Sequence, residues 1–380
     1  MRQQTQIAQG RRLLNYLETR TTTMAASVYR NPVTDYTCPE QLAREQARLF
    51  RAGPLFIGLS AELAAPGAYL VDDFAGVPML LVRGDDGELN GFLNVCRHRG
   101  ARLVEGRGGI KKAFVCPYHA WSYDKAGSLI GIPHAAQFGE IEQARHGLVR
   151  LPVAERHGLL WAAPTPGAGF DLERHLAGLG DDLAAYRSRD YHLYDSRVLH
   201  RKMNWKLVVD TFLETYHLNV LHRKTIDPIL HSNLGAFDAF GRNLRMIAAR
   251  RTVGELKHRP EAEWDLIRHT AIVYVLFPNT VLIMQGDHLE TWRAFPADGS
   301  PDRAAMHVAL YTPEAADSDS ARRHWDRNFR LLLDTVEKED FPVGEEIQRG
   351  FHSGAQDCIV FGRNEPALGH YHARIREALS

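Results

Sequence analysis

Two tight Cys-His pairs carry the first recognisable chemistry in this chain. Cys96-Arg97-His98 and Cys116-Pro117-Tyr118-His119 are separated by a Gly- and Arg-rich spacer, 99–115. Together they offer two thiolates and two imidazoles. Such a set can hold one zinc ion, or a [2Fe–2S] cluster in which two His replace two Cys on one iron. The flanking residues favour iron. Gly100 follows the first pair, and Trp121-Ser122-Tyr123 follows the second. Aromatic and glycine neighbours give a shielded cluster with close backbone, whose sulfurs can accept N–H bonds. A structural zinc ribbon is the competing reading, although a C-x-H opening is unusual among zinc spacings.

A second constellation comprises Asp210, Glu214, His217 and His222. The segment 204–222 reads as one amphipathic helix. Each helical residue advances about 100°, so Asp210, Glu214 and His217 share a face. His222 falls roughly 140° away from His217 on a regular helix. Both imidazoles can meet one ion only if the helix is distorted, and an irregular or π-like widening between Leu218 and Leu221 is the expectation. Two His plus one carboxylate, with positions left open, is the ligand set of non-haem Fe(II) oxygenases. Helical geometry favours a carboxylate from elsewhere over Glu214. Asp340 is the candidate, because Pro342 must disturb a helix beside it and can aim it inwards. Substrate-lining candidates are the apolar residues Val208, Leu213, Leu221, Tyr274, Leu276, Phe277, Met284 and Trp292.

The elements around these residues fall into two groups. Short strand-like runs separated by Gly, Pro and Asp turns, from about Leu55 to Ala163, predict a small all-β domain. A Pro/Gly-rich stretch, 164–169, ends it. Four strands beyond it (271–277, 280–284, 289–295 and 305–311) and a long helix from near Asp317 to Glu339 predict an α+β domain with a helix across an antiparallel sheet. Residues 1–50 read as a helical arm. The chain of 380 residues has room for two cores, and its 46 Lys and Arg balance 46 Asp and Glu. A neutral chain argues against nucleic acid or membrane surface as partner. Four Cys, two of them in the pairs above, exclude a disulfide framework and point to a reducing, cytoplasmic setting. Nineteen His make metal sites worth seeking.

The Cys-His stretch resembles the Rieske cluster motif. With Asn204-Trp205-Lys206, Glu214-Thr215-Tyr216-His217, His222, Glu339-Asp340 and Gln348-Arg349-Gly350, most of the chain resembles the α (terminal oxygenase) subunit of a Rieske non-haem iron oxygenase of the aromatic ring-hydroxylating type. The resemblance implies a Rieske domain over 51–165 and a helix-grip catalytic domain over 170–380. It implies a [2Fe–2S] cluster on Cys96, His98, Cys116 and His119, and a mononuclear Fe(II) on His217, His222 and Asp340. Glu214 would bridge to a cluster His of a neighbouring subunit in a homotrimer. Electrons would come from a separate NAD(P)H reductase or ferredoxin, and O₂ would hydroxylate a small organic substrate by mono- or dioxygenation. An aromatic substrate, placing the protein in aromatic catabolism, is the first expectation. A quaternary ammonium compound is the alternative, because Glu in place of Asp at position 214 is similar to members acting on such compounds. A Rieske electron carrier with a non-catalytic second domain is the non-enzymatic alternative.

Overall fold

Strand-forming runs and turn residues alternate along the first half of the chain, and the fold follows them. The computed structural model describes residues 1–380, which divide into two units. The smaller unit, 46–172 with 187–189, is all-β. It holds three small antiparallel sheets, among them the four-stranded sheet 89–93, 79–83, 68–72 and 107–109. The Asp85-Asp86-Gly87 turn joins two of those strands, with Gly87 at the positive φ that a left-handed turn position requires.

The larger unit contains 1–45, 173–186 and 190–380. Its seven-stranded antiparallel sheet comprises β1 (His192–Arg201), β2 (Leu230–Phe240), β3 (Asn243–Arg250), β4 (Thr270–Leu276), β5 (Thr280–Met284), β6 (Leu289–Ala297) and β7 (Ser300–Thr312). They are ordered β1-β7-β6-β5-β4-β3-β2. Three of these strands escape the sequence pattern. β1 is a largely exposed edge strand, β2 contains Asn233 and Gly235, and Asn-Leu-Arg-Met-Ile-Ala-Ala-Arg in β3 is rich in helix formers. Cross-strand burial overrides local propensity there.

Two helical stretches complete the frame. α1 (Trp205–Asp210) begins at Asn204, whose Oδ1 accepts from the Lys206 N–H at 3.0 Å. It is anchored by a buried Glu45, which accepts from Trp205 Nε1 at 2.8 Å and from Lys206 Nζ at 2.6 Å. α2 (Asp319–Thr335) is capped by Ser318, one residue after the expected Asp317. It leads through a π turn, Val336–Asp340, into α3 (Phe341–Phe351). The π turn is closed by Phe341 N–H to Val336 O, one residue wider than an α-helical bond. Pro342 follows the π turn directly, where the regular i→i−4 ladder is already interrupted.

Candidate functional site

The two Cys-His loops are built alike. Gly100 N–H donates to Cys96 O at 3.0 Å, and Ala120 N–H to Cys116 O at 2.9 Å. Each loop is then pinned at its base: Cys96 N–H to Ala101 O at 2.8 Å, and Cys116 N–H to Trp121 O at 2.9 Å. Both turns need a left-handed residue to close, and they use Gly100 and Ala120, each at positive φ. The two thiols are buried in an apolar cluster that includes Leu80, Phe92, Phe114 and Leu129. The Tyr123 hydroxyl accepts from Arg97 N–H at 2.9 Å and lies 3.4 Å from Cys96 Sγ, to which its O–H can donate. Burial, then the bond to Cys96, pushes the Tyr123 phenol up, so it stays a donor.

The imidazoles lie side by side, His98 and His119 with ring centroids 4.7 Å apart. His98 stacks on the buried Trp121 at 4.9 Å and 9°. His119 Nδ1 is buried and has no hydrogen-bond partner. A buried imidazole nitrogen without a partner is costly. Beside two buried thiols and a second imidazole it fits a ligand nitrogen for iron, and the donor set of two S and two N is that of a [2Fe–2S] cluster with one His-ligated iron.

The second site gathers residues that the chain separates by more than a hundred positions. His222 Nε2 lies 3.0 Å from Asp340 Oδ1, and His217 Nε2 lies 3.6 Å from the same oxygen. One ligand atom from each of the three lies within 4.8 Å of the others, a spacing that could hold a metal ion. Each imidazole also has a carboxylate behind it. Glu214 bonds to His217 Nδ1. Glu339 Oε2 lies 2.6 Å from His222 Nδ1 and accepts from the Thr225 hydroxyl at 2.8 Å. A carboxylate on the outer ring nitrogen fixes the tautomer and leaves Nε2 for a metal. Burial alone would lower the His222 pKa, but Asp340 and then Glu339 outweigh it and raise it.

The backbone reaches this arrangement differently from the sequence expectation. The helix ends at Asp210 and does not continue to His222. Side chains compete for the backbone here. Thr211 Oγ1 donates to Leu207 O at 3.0 Å, and Glu214 Oε2 accepts from the N–H groups of Tyr216 and His217. His217 and His222 therefore sit on consecutive turns, with ring centroids 5.0 Å apart. The segment 218–221 is irregular, as expected, a run of turns rather than α-helix, and a π turn forms on the other partner, ending at Asp340. Asp210 leaves the expected stripe altogether. It accepts from the Tyr36 hydroxyl at 2.7 Å and lies 2.8 Å from His372 Nε2.

A cavity of about 330 Å³ opens beside the triad. None of the eight substrate-lining candidates borders it. Residues of opposite parity do: Met246 and Ala248 of β3, Ala271 and Val273 of β4, Ile283 of β5. Strand side chains alternate faces, so Tyr274 and Leu276 of β4 and Met284 of β5 lie on the other face of the sheet, whereas Trp292 shares the face of Glu290 on β6 but lies beyond the lining. Phe212, Leu331 and Leu332 cover the apolar part, while Arg250, Gln285, Asp287, His288 and Glu290 form a polar end. Sequence reasoning missed Glu339 and this polar end. Glu339 was signalled only by its adjacency to Asp340.

Comparison with known proteins places these features. Residues 54–152 match the family model of the Rieske [2Fe-2S] domain. Residues 187–380 match that of the ring hydroxylating alpha subunit, catalytic domain. The glycine betaine monooxygenase oxygenase subunit of Chromohalobacter salexigens is 34% identical, over 87% of this chain and 81% of the relative. The salicylate 5-hydroxylase large oxygenase component of Ralstonia sp is 33% identical, over 92% of this chain and 91% of the relative. A crystal structure of the quaternary ammonium Rieske monooxygenase CntA shares the fold, with TM-score 0.80 at 20% identity, over 93% of this chain and 96% of that one.

Proposed function

For a chain that belongs to the Rieske oxygenase α subunits, with a Rieske cluster, a mononuclear iron and oxidoreductase activity, we propose oxygenation of a small quaternary ammonium compound. Cys96, His98, Cys116 and His119 hold the cluster; His217, His222 and Asp340 hold the single ion. When bound, the cluster supplies electrons one at a time and the mononuclear iron activates O₂. The chain's own residues prepare that chemistry. Glu214 and Glu339 hold the two imidazoles by their outer nitrogens. Asp340, delivered by the π turn, completes one face of the triad. Phe212, Leu331 and Leu332 give the cavity an apolar wall. The electrons come from a separate reductase or ferredoxin. Glu214 also faces a neighbouring subunit's cluster in a homotrimer.

The observation that carries this reading is the meeting of His217, His222 and Asp340 beside a partly charged cavity. The first substrate expectation, an aromatic compound, gives way to its alternative. The glycine betaine relative and the ammonium-oxidising structural neighbour favour it, as does Glu at position 214. An aromatic acid remains the second reading, supported by the salicylate 5-hydroxylase relative and by Arg250 in the cavity wall. Incubation with a generic reductase, O₂ and a panel of quaternary amines and aromatic acids decides between them. Demethylated or hydroxylated amine is the expected product. Iron analysis should give about three irons per chain, whereas a pure electron carrier would hold only its two-iron cluster.

A further inference from the structure

The cavity wall on the sheet is a grid. Met246, Val273, Ile283 and Glu290 are successive cross-strand partners on β3, β4, β5 and β6, and all four border the cavity. Three members of this row are apolar and the fourth is a carboxylate. Glu290 is 3% exposed. Its Oε1 lies 3.1 Å from His288 Nε2, and His288 Nδ1 lies 2.8 Å from Asp287 Oδ1. Asp287 and Glu290 outweigh burial and raise the His288 pKa to about 9, so the imidazole is a cation at neutral pH. Glu290 Oε2, by contrast, is buried with no partner.

Bracing the β5–β6 hairpin explains one of the two oxygens. A buried carboxylate oxygen left unpaired is costly and calls for a partner that arrives later. Across the same cavity end, Arg250 donates from Nε to Thr270 O at 3.3 Å and from Nη2 to Gln285 Oε1 at 3.2 Å. Neither bond uses Nη1. Asp287, His288, Glu290 and Arg250 sum to zero charge at neutral pH, the Glu290 carboxylate standing on β6 and the Arg250 guanidinium on β3. Phe212 is the sole Phe, Tyr or Trp in the lining. An aromatic cage for a trimethylammonium group is therefore missing from this wall.

We propose that Glu290, positioned by His288, receives the cationic end of the substrate and that Arg250 receives its carboxylate, so that the cavity selects a small zwitterionic ammonium acid. This assignment rests on the ammonium reading above and deepens it. The carboxylate does the work that aromatic faces do in a cation–π cage, and the apolar row beside it accommodates the N-methyl groups.

The test is equilibrium binding to the iron-loaded protein of three probes of similar shape. Glycine betaine carries both charges, 3,3-dimethylbutyrate only the carboxylate, and choline only the cation. Glycine betaine should bind about tenfold or more tighter than either single-charge probe. Glu290→Gln should weaken glycine betaine and choline by about tenfold or more and leave 3,3-dimethylbutyrate unchanged. Arg250→Gln should weaken glycine betaine and 3,3-dimethylbutyrate and spare choline. Equal losses on all three probes, or no losses, overturn the assignment of the poles. The wild-type series stands without any variant: a preference for 3,3-dimethylbutyrate over glycine betaine also overturns it. Turnover of salicylate with none of any ammonium compound would remove the functional reading itself, a result read from products and not from these binding ratios.

Discussion

The Cys-His loops and the His217, His222 and Asp340 triad assemble their candidate metal ligands by opposite strategies. Cys96 to His119 packs four ligands into one short stretch, on two turns closed by the same hydrogen bonds, each ending in a left-handed residue. The triad joins Asp340 to two His more than a hundred residues earlier. It depends on irregular backbone in both segments. Local ligand sets inherit their geometry from turn chemistry, whereas dispersed sets inherit it from how a sheet and helices pack.

The widest test of this contrast is His217→Ala. It should abolish product while the visible spectrum of the cluster stays intact; a bleached spectrum would show that the two sites are not separable. His288→Gln probes the sheet side next. With its folded pKa raised to about 9, the His288 ion pair contributes its full stability below about pH 6.5, the unfolded value. That contribution fades as pH rises through about 9. The melting temperature of wild type should exceed that of the variant by an amount corresponding to at most about 3 kcal/mol at pH 6. The two curves should converge above about pH 10, and a gap independent of pH would contradict the pairing.

Glu339→Gln should weaken mononuclear iron binding by about 10–100-fold, as loss of a carboxylate behind a ligating His does. Competition with a chelator measures it, and the cluster absorbance serves as internal control. The smallest effect belongs to the loops. Gly100→Ala should cost about 1 kcal/mol, because only glycine adopts its φ without a steric penalty. Ala120→Gly at the matching place relieves such a penalty and should be near neutral in thermal melts.

The same contrast explains what was legible beforehand. The four candidate cluster ligands and the strands beneath them follow from short-range spacing, as do His217 and His222; the helix irregularity that Pro342 announces beside Asp340 takes the form of a π turn. The helix over 204–222 did not survive, because Thr211 and Glu214 spend their side chains on the backbone. The cavity wall was inverted, because strand parity is fixed by register with β3, and Asn243–Arg250 does not look like a strand. Glu290 was hidden for the same reason: a carboxylate in a run of β-formers says nothing about which face it occupies until its neighbours across the sheet are known.

The widened turn at Val336–Asp340 makes the length of this segment as consequential as its composition. A helix carrying one surplus residue holds two faces in a phase that a regular helix cannot. Upstream, Leu332 and Thr335 border the cavity; downstream, Asp340 meets the imidazoles. Exchanging a side chain within the turn leaves that phase in place, whereas a change in the number of residues resets it. Descendants of this sequence can vary the exposed positions of α2, such as Arg323 and Arg327, more freely than they can vary the length of the turn that follows.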